Sequence, residues 1–163
     1  MPIEFVRIDD RLIHGQVVTT WVKQKKIEQI LIINDDIAKD EVQKSVFDLM
    51  APSGVLVKTF AVEKFADIFK KTVIKRRTML LLTSPSDVLV LVKNGVDIDA
   101  LNLGGMKYTN ERKRYTKAVS LSENEKASLK EMDALGVEIS VQMIPSDKKI
   151  SYADLKKMEG VDN

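Results

Sequence analysis

The chain has 163 residues, of which 44% are hydrophobic and 31% charged, and its formal net charge at pH 7 is +2. This composition is typical of a globular protein, and a chain of this length most economically forms one domain with a substantial core. We therefore expect a single domain over 1–163. The small net charge gives no reason to expect a nucleic-acid partner, because proteins that bind nucleic acids usually concentrate positive charge on one face.

The side chains that bind transition metals are nearly absent, since the chain has no cysteine and one histidine. Disulfides, thiol catalysis and cysteine-bound zinc are excluded, and we expect neither a metal site nor a cofactor. The N-terminal residues Met1 to Glu4 lack the pattern of a secretory signal, and no apolar run approaches the length that spans a bilayer. We expect a cytoplasmic protein that meets membrane proteins only by docking, without inserting into the membrane.

The predicted elements alternate between strands and helices. Ile3 to Ile8 reads as a strand and the apolar positions from Val17 to Val22 as a helix, with a short polar loop between them. The later elements, in order, are strand 29–33, a helix opened by Asn34 and ended by Pro52, strand 55–60, a helix with apolar positions from Val62 to Phe69 and a basic end at Lys70, Lys71 and Lys75, strand 78–82, a helix from Ser84 to Asn94, strand 100–103, a short strand at 117–120, a helix from Ser122 to Gly136, strand 137–144 and a helix over 151–158.

This alternation predicts an α/β fold. Right-handed crossovers between parallel strands give a doubly wound, mostly parallel sheet of about seven strands with helices on both faces. We expect the short strand at 117–120 to be antiparallel at one edge.

The loop after the first strand carries the only histidine, His14, at the start of the first predicted helix. Open α/β sheets place their ligand sites outside the carboxyl ends of strands, and a helix N-terminus favours an anion. Imidazole is a nucleophile near neutral pH, so His14 is the candidate acceptor of a phosphoryl group. The backbone N–H groups of residues 12–16, which include Leu12, Ile13, Gly15 and Gln16, are the candidate phosphate donors.

The charged residues of this loop have two interpretations each. Arg11 either offers its guanidinium to phosphate or forms an ion pair with Asp9 or Asp10 that shapes the loop. Asp10 either holds Arg11 or orients the ring nitrogen of His14 that does not react. Neither aspartate is expected to contact phosphate directly, because a carboxylate would repel it.

Two further features of the sequence each have two interpretations. Thr83 and Ser84 follow the fourth strand, where their hydroxyls either donate to phosphate or only begin the next helix. The segment 106–116 contains four basic residues, Lys107, Arg112, Lys113 and Arg114, and is either a docking patch for an acidic or phosphorylated partner or a solvated turn region.

The string RIDDRLIHGQV at 7–17, followed by Trp21, resembles the phosphorylation-site loop of the mannose/fructose/sorbose family of IIB components of the bacterial sugar phosphotransferase system. Four other stretches resemble the same family in the same order along the chain: Asn34-Asp35, Thr83-Ser84-Pro85, Asn102 to Met106 and Val141 to Pro145. The resemblance implies the same α/β architecture over the whole chain.

The resemblance also implies an activity. His14 would accept phosphate from a histidine of a phosphorylated IIA component, giving a species similar to the family's Nδ1-linked phosphohistidine. It would then pass the group to a hexose or amino sugar carried by the IIC and IID membrane components, which implies docking at the inner face of the membrane. The implied enzyme class is a protein-Nπ-phosphohistidine–sugar phosphotransferase.

Other functions fit the pattern less well. A phosphoaspartate receiver domain needs an acceptor aspartate after the third strand, where the chain has Phe60-Ala61-Val62. A nucleotide-binding enzyme needs a glycine-rich phosphate loop, and residues 9–15 contain one glycine. A non-catalytic or regulatory interaction module of the same fold remains the alternative.

Overall fold

The computed structural model describes residues 3–160, and the remaining residues of the expected 1–163 domain lie outside this part. Its centre is a seven-stranded sheet with the order β3-β2-β4-β1-β5-β8-β9. The strands of this sheet are β1 (Ile3–Asp9), β2 (Gln29–Ile33), β3 (Leu56–Phe60), β4 (Thr78–Leu82), β5 (Ala100–Gly105), β8 (Glu138–Val141) and β9 (Ile150–Ser151). The first six are parallel, and β9 pairs with β8 in the antiparallel direction.

Two short strands, β6 (Lys113–Arg114) and β7 (Ser120–Leu121), form a separate antiparallel pair. The helices are α1 (Gly15–Lys25), α2 (Asp35–Ala38), α3 (Glu41–Leu49), α4 (Val62–Lys71), α5 (Pro85–Lys93), α6 (Glu123–Ala134) and α7 (Tyr152–Lys156). None of the helices within 3–160 combines the length and the apolar character of a membrane-spanning segment.

The sheet is covered by helices on both faces, because its central strands are apolar on both sides. In β2, Leu31 and Ile33 pack in one buried cluster, whereas Ile30 and Ile32 pack in another. The first cluster receives side chains from α4, α5, α6 and α7, and the second receives Val18 and Val22 of α1. The expected doubly wound, mostly parallel fold of about seven strands is thus confirmed.

The position of β1 determines where the candidate site lies. β1 pairs with β4 on one side and with β5 on the other, and Ile8 lies opposite both Leu82 and Leu103. Because all three strands are parallel, their carboxyl ends meet at one edge of the sheet. The loop that carries His14 therefore begins at the middle of this edge.

The predicted antiparallel edge strand and the predicted last helix were wrong in detail. The antiparallel edge strand is β9 and not the segment at 117–120, because the main sheet ends in the hairpin-like return from β8 to β9 while Ser120–Leu121 pairs with Lys113–Arg114. The last helix is correspondingly shorter than 151–158 and begins at Tyr152, with Ser151 as the N-cap whose hydroxyl accepts from the Asp154 N–H at 3.1 Å.

The single helix expected between Asn34 and Pro52 is two helices. Asp40 begins the second one by accepting from the N–H groups of Val42 and Gln43, so that α2 and α3 are separate. The apolar spacing that predicted a buried helix face is also misleading here, since Val42 and Leu49 are exposed.

Candidate functional site

The loop between β1 and α1 is a tight turn whose apolar residues are buried. Leu12 adopts a left-handed backbone conformation with φ 54°, and Gly15 has φ 47°. The N–H of Leu12 donates to the Asp9 carbonyl at 3.0 Å. A left-handed conformation is unfavourable for leucine, and burial of Leu12 and Ile13 in the apolar cluster beneath α1 holds it in place. The turn presents His14 as the N-cap residue of α1.

One nitrogen of the His14 ring is held by a carboxylate. Nε2 lies 2.9 Å from Oδ2 of Asp9, and the His14 side chain is 17% exposed while that of Asp9 is 2% exposed. An ionised carboxylate only accepts hydrogen bonds, so Nε2 carries the proton that joins the two groups. Nδ1 is then the ring nitrogen with the lone pair, which makes it the nucleophilic atom of this tautomer.

Asp9 is itself held by a buried arginine. Nη2 of Arg7 lies 3.1 Å from the same Oδ2 atom that contacts His14, and Arg7 has no exposed surface. Nη1 of Arg7 donates to Oδ1 of Asn102 at 2.6 Å and to the Gln142 carbonyl at 3.2 Å. A buried ion pair needs such additional partners to offset desolvation. Asn102, Arg7, Asp9 and His14 therefore form one continuous chain of polar contacts.

Gly104 of β5 leaves the space that the guanidinium of Arg7 occupies. A Cβ atom on Gly104 would overlap the guanidinium of Arg7, so this residue of β5 must be glycine for Arg7 to lie where it does. The ring of Trp21 covers Arg7 from α1, with its centroid 5.6 Å from Cζ. The indole N–H of Trp21 donates to the Met143 carbonyl at 2.8 Å. Burial lowers the pKa of Arg7 from its ordinary value, and the neighbouring Asp9 carboxylate opposes that shift.

Asp10 has a different partner from the one its position in the sequence suggested. Its Oδ2 accepts from Nη1 of Arg112 at 3.0 Å and from the Lys107 N–H at 2.8 Å. Arg112 also forms a two-point contact with Glu125, at 2.9 and 2.8 Å. Asp10 thus ties the loop to the segment before β6 and to α6. The residue that contacts the His14 ring is Asp9, whereas Asp10 holds Arg112 and not Arg11.

Arg11 is the most exposed charged residue of the loop. Its side chain is 61% exposed, and its Nε lies 3.9 Å from Oδ1 of Asp9. The backbone N–H of Arg11 donates to the same oxygen at 3.0 Å. The side chain thus has a long ion pair with Asp9 and remains accessible to solvent.

The backbone donors of the loop differ in what they already bind. The N–H of Leu12 is used inside the turn, which removes it from the expected set of phosphate donors. Gly15 and Gln16 are exposed and occupy the first two positions of α1, and the His14 side chain makes no capping hydrogen bond there. N–H groups at the first positions of a helix lack intrahelical acceptors. Gly15 and Gln16 therefore present donors toward solvent beside His14.

Thr83 and Ser84 follow β4, next to the end of β1, as expected. Oγ1 of Thr83 accepts from Nδ2 of Asn34 at 3.2 Å, and Oγ of Ser84 lies 2.8 Å from Oγ of Ser86. Ser84 is the N-cap residue of α5, although its side chain makes no capping bond. Ser84 shares the wall of a surface cleft with Asp10. Ser84 and Asp10 thus line one cleft, and His14 is not among the residues that line it.

The basic segment at 106–116 is partly engaged within the fold. Met106 and Tyr115 are buried, and Arg112 binds Asp10 and Glu125. Lys113 and Arg114 are exposed in β6. Among residues 3–160, no group of three or more His, Asp or Glu side chains is placed to hold a metal ion.

The alternation of side chains along β1 is a sequence signal for the Arg7–Asp9 pair. Residues two apart in a strand point to the same face, so Arg7 and Asp9 had to lie together, opposite Val6 and Ile8. A charged pair on one face of a central strand must find buried partners. The register of β1 with β5 supplies one, because Arg7 lies opposite Asn102.

Comparison with known proteins identifies the family of this chain. The family model described as the sorbose subfamily IIB component of the phosphotransferase system matches residues 3–163. The sorbose-specific EIIB component of Klebsiella pneumoniae is 39% identical over 155 residues, which cover 94% of each chain. The fructose-specific EIIB component of Bacillus subtilis is 36% identical over 95% of this chain and 96% of that protein. The mannose-specific EIIAB component of Escherichia coli is 37% identical, and the match covers 48% of that longer protein.

Comparison with solved structures gives the same family. The IIB domain of the sorbose permease from Klebsiella pneumoniae superposes with a TM-score of 0.89 at 37% identity, covering 96% of this chain and 97% of that one. The N-acetylgalactosamine-specific IIB component 1 of Escherichia coli superposes with a TM-score of 0.86 at 27% identity, covering 91% and 98%. Sequence and fold agree over nearly the whole length, and the chain belongs to the sorbose subfamily of IIB components of the bacterial sugar phosphotransferase system.

Proposed function

We propose that this IIB component carries a phosphoryl group on Nδ1 of His14, accepting it from a phosphorylated IIA component and passing it to a sugar. The observation that supports this most is the 2.9 Å contact between Asp9 Oδ2 and His14 Nε2. It leaves Nδ1 as the nucleophile at the N-terminus of α1, where the backbone favours an anion.

In the first transfer, the lone pair of Nδ1 forms a bond to phosphorus. The bond between phosphorus and the donor histidine of IIA breaks, and its electron pair returns to the donor ring. As the lone pair is donated, positive charge develops on the His14 ring, which the carboxylate of Asp9 stabilises through Nε2–H.

In the second transfer, a sugar hydroxyl oxygen attacks the phosphorus on His14. The bond from phosphorus to Nδ1 breaks, its electron pair returns to the ring, and the hydroxyl proton leaves to solvent or to a base of the partner. Charge in such transfers spreads over the phosphoryl oxygens, so the protein contributes mainly donors and positioning. The exposed N–H groups of Gly15 and Gln16 serve as those donors, and we assign a supporting role to the N–H of Ile13.

Arg11 is the side chain best placed to help the phosphoryl group. It is exposed, lies beside His14 in the loop and is restrained only by a 3.9 Å ion pair with Asp9. Its planar fork of donors matches phosphoryl oxygens. Thr83 and Ser84 remain candidates for polar contact with a phosphorylated loop, through the end of β4 that adjoins β1.

We assign the partners from the family. The Escherichia coli relative named EIIAB carries its IIB-like part in a longer chain, which supports a IIA component as the donor. IIC and IID membrane components are proposed as the acceptor complex, so that the carrier docks at the inner face of the membrane without inserting. Because the IIA component and the acceptor complex must reach the same imidazole, their binding surfaces overlap around the His14 edge of the sheet.

The test is a phosphorylation assay. The protein is incubated with phosphoenolpyruvate, the general phosphotransferase enzymes and a cognate IIA, and the label is then exposed to acid and to base. We expect label that is labile in acid and stable in base, and none on a His14→Gln variant that keeps its fold. Label that survives in His14→Gln would contradict the proposal, since the chain has one histidine.

The alternative is a regulatory or non-catalytic interaction module of the same fold. Such a module binds its partners equally well with and without His14 and takes no label. Binding of unphosphorylated IIA to the parent chain and to His14→Gln, measured beside the labelling, separates the two functions.

A further inference from the structure

We propose that Arg7 is a positioning residue that sets the pH range in which His14 can react. By neutralising Asp9, it lets that carboxylate hold the Nε2–H of His14 without drawing a second proton onto the ring. This inference rests on the proposed function, because it concerns the nucleophile of that transfer.

The geometry that carries the inference is one oxygen atom shared by two cationic or potentially cationic groups. Oδ2 of Asp9 lies 3.1 Å from Nη2 of Arg7 and 2.9 Å from Nε2 of His14. Arg7 is 0% exposed and Asp9 1% exposed. Salt screens exposed charges strongly and buried pairs much less. Salt therefore screens the charge of Arg7 little where it acts on the atom that holds the imidazole.

The consequence follows from what an unpaired carboxylate does to histidine. A negative charge within hydrogen-bond distance favours the protonated imidazolium. In the imidazolium both ring nitrogens carry hydrogen, so Nδ1 has no lone pair for phosphorus. Asp9 paired with Arg7 carries no net charge as a unit. It can still accept the Nε2–H bond, while its pull on a second proton is reduced.

The other groups around the ring do not take over this role. Arg11 faces Asp9 from the loop at 3.9 Å, but its side chain is 61% exposed and therefore screened. Asp10 is bound to Arg112 and to the Lys107 N–H. The residues that meet Arg7 from the other elements are neutral: Trp21 of α1, Asn102 and Gly104 of β5, and the Gln142 carbonyl after β8.

A proton titration of His14 tests the inference without any phosphoryl donor. As the only histidine, His14 gives one set of ring signals in NMR spectra. Arg7→Gln should shift the midpoint of the ring titration upward by about one pH unit or more, the usual effect of an unopposed carboxylate. Arg7→Lys keeps a cation beside Asp9, and its midpoint should stay much closer to that of the parent.

The rate of phosphorylation should follow the same shift. On the acid side of both midpoints, each unit of upward shift lowers the rate of Arg7→Gln by up to about tenfold, because only the neutral ring reacts. The rate should recover toward that of the parent as the pH rises. An unshifted titration, or a rate that falls by the same factor at every pH, would overturn the inference and leave Arg7 a structural residue.

A double variant keeps the test decisive if Arg7→Gln does not fold. Arg7→Gln combined with Asp9→Asn removes both charges, leaves an amide oxygen to accept the Nε2–H bond, and should titrate within about half a unit of the parent. A midpoint more than about one unit below that of the parent would mean that Arg7 does not neutralise Asp9. If the parent takes no phosphoryl label, the proposed function fails, and the titrations still decide the role of Arg7.

Discussion

The guanidinium of Arg7 occupies the space that a side chain at Gly104 would fill. Arg7 lies opposite Asn102 in the register of β1 with β5, so the residue two positions further along β5 approaches the guanidinium from the same face. The glycine is therefore a condition for the polar chain that ends at His14.

Gly104→Ala should displace Arg7 and weaken its contact with Asp9. Forcing a methyl group into a packed site costs about 1–3 kcal/mol, and the loss of the buried ion pair adds to it. We expect a lower free energy of unfolding in denaturant titrations and slower labelling of His14. Ala100→Ser at the exposed start of the same strand is the control, and we expect little change in either measurement. Equal effects of the two substitutions would contradict this account.

Asp9→Asn should slow phosphorylation far more than Asp10→Asn. Asp9 contacts the His14 ring, whereas Asp10 contacts Arg112 and the Lys107 N–H. With Arg7 in place, the amide oxygen of the new asparagine stays with the guanidinium, so its NH2 faces Nε2 and favours the other tautomer. Loss of the correct tautomer of a reacting histidine costs about 10²-fold or more. The measurement is the initial rate of label transfer from IIA at fixed pH.

Asp9→Asn should also destabilise the fold, because Arg7 would remain buried without a countercharge, at a cost of about 3–5 kcal/mol. Folding is therefore checked first by circular dichroism at a temperature where the variant is native. A rate for Asp9→Asn that matches Asp10→Asn would remove Asp9 from the mechanism.

Trp21→Phe should lower stability by removing a partly buried hydrogen bond. The indole N–H donates to the Met143 carbonyl at 2.8 Å, and Trp21 is 3% exposed. Because the contact is only partly buried, water can replace part of the lost bond, and we expect a cost of about 0.5–1.5 kcal/mol. Thr20→Ala is the control on the same helix, since its hydroxyl only bonds the exposed Gln16 carbonyl, and we expect little change in its midpoint of thermal unfolding. A Trp21→Phe variant as stable as the parent would show that Met143 finds another donor.

Glu125 should contribute to stability above acid pH. Burial by itself would raise the pKa of Glu125. The hydrogen bonds from Arg112 and from the Ser122 N–H lower this pKa by more than burial raises it, so the net pKa is below the ordinary value of 4.5. A carboxyl group whose pKa is depressed on folding stabilises the protein above its unfolded pKa and loses that contribution as the pH falls through its folded pKa.

The stability of the parent should therefore fall as the pH drops below about 4.5, and Glu125→Gln should lose less over the same range. Urea unfolding at a series of pH values measures this difference. Glu138→Gln at the exposed start of β8 is the control, and its stability should depend on pH as that of the parent does. If Glu125→Gln loses as much stability at acid pH as the parent does, other carboxylates dominate the acid dependence.

Much of the fold was predictable because the central strands are continuous apolar runs. The bounds of β2 and β4 were correct to the residue, since both strands are buried on both faces and end at polar turn residues. The apolar spacing of α3 predicted a buried helix face, but no residue of this helix is buried. Such spacing shows that apolar side chains share one face of a helix, and it does not show whether another element packs against that face. The antiparallel strand β9 has two residues, which is too short to leave a periodic pattern.

The candidate site was predictable in its centre and less so in its surroundings. His14 at the N-terminus of α1 followed from the strand, loop and helix pattern. The partner of its ring did not, because Asp9 and Asp10 are adjacent and only the direction of each side chain decides between them. Asp9 continues the buried face of β1 with Arg7, and Asp10 turns toward Arg112, which is 102 residues away in sequence.

The most direct test of the central claim is the position of the phosphoryl group on the His14 ring. Phosphorylated protein labelled with ¹⁵N at histidine shows, from the ¹⁵N–³¹P coupling, which ring nitrogen is bound to phosphorus. The contact of Asp9 with Nε2 predicts phosphorus on Nδ1 and a proton that stays on Nε2. Phosphorus bound to Nε2, the nitrogen that Asp9 holds in the unphosphorylated chain, would contradict the account.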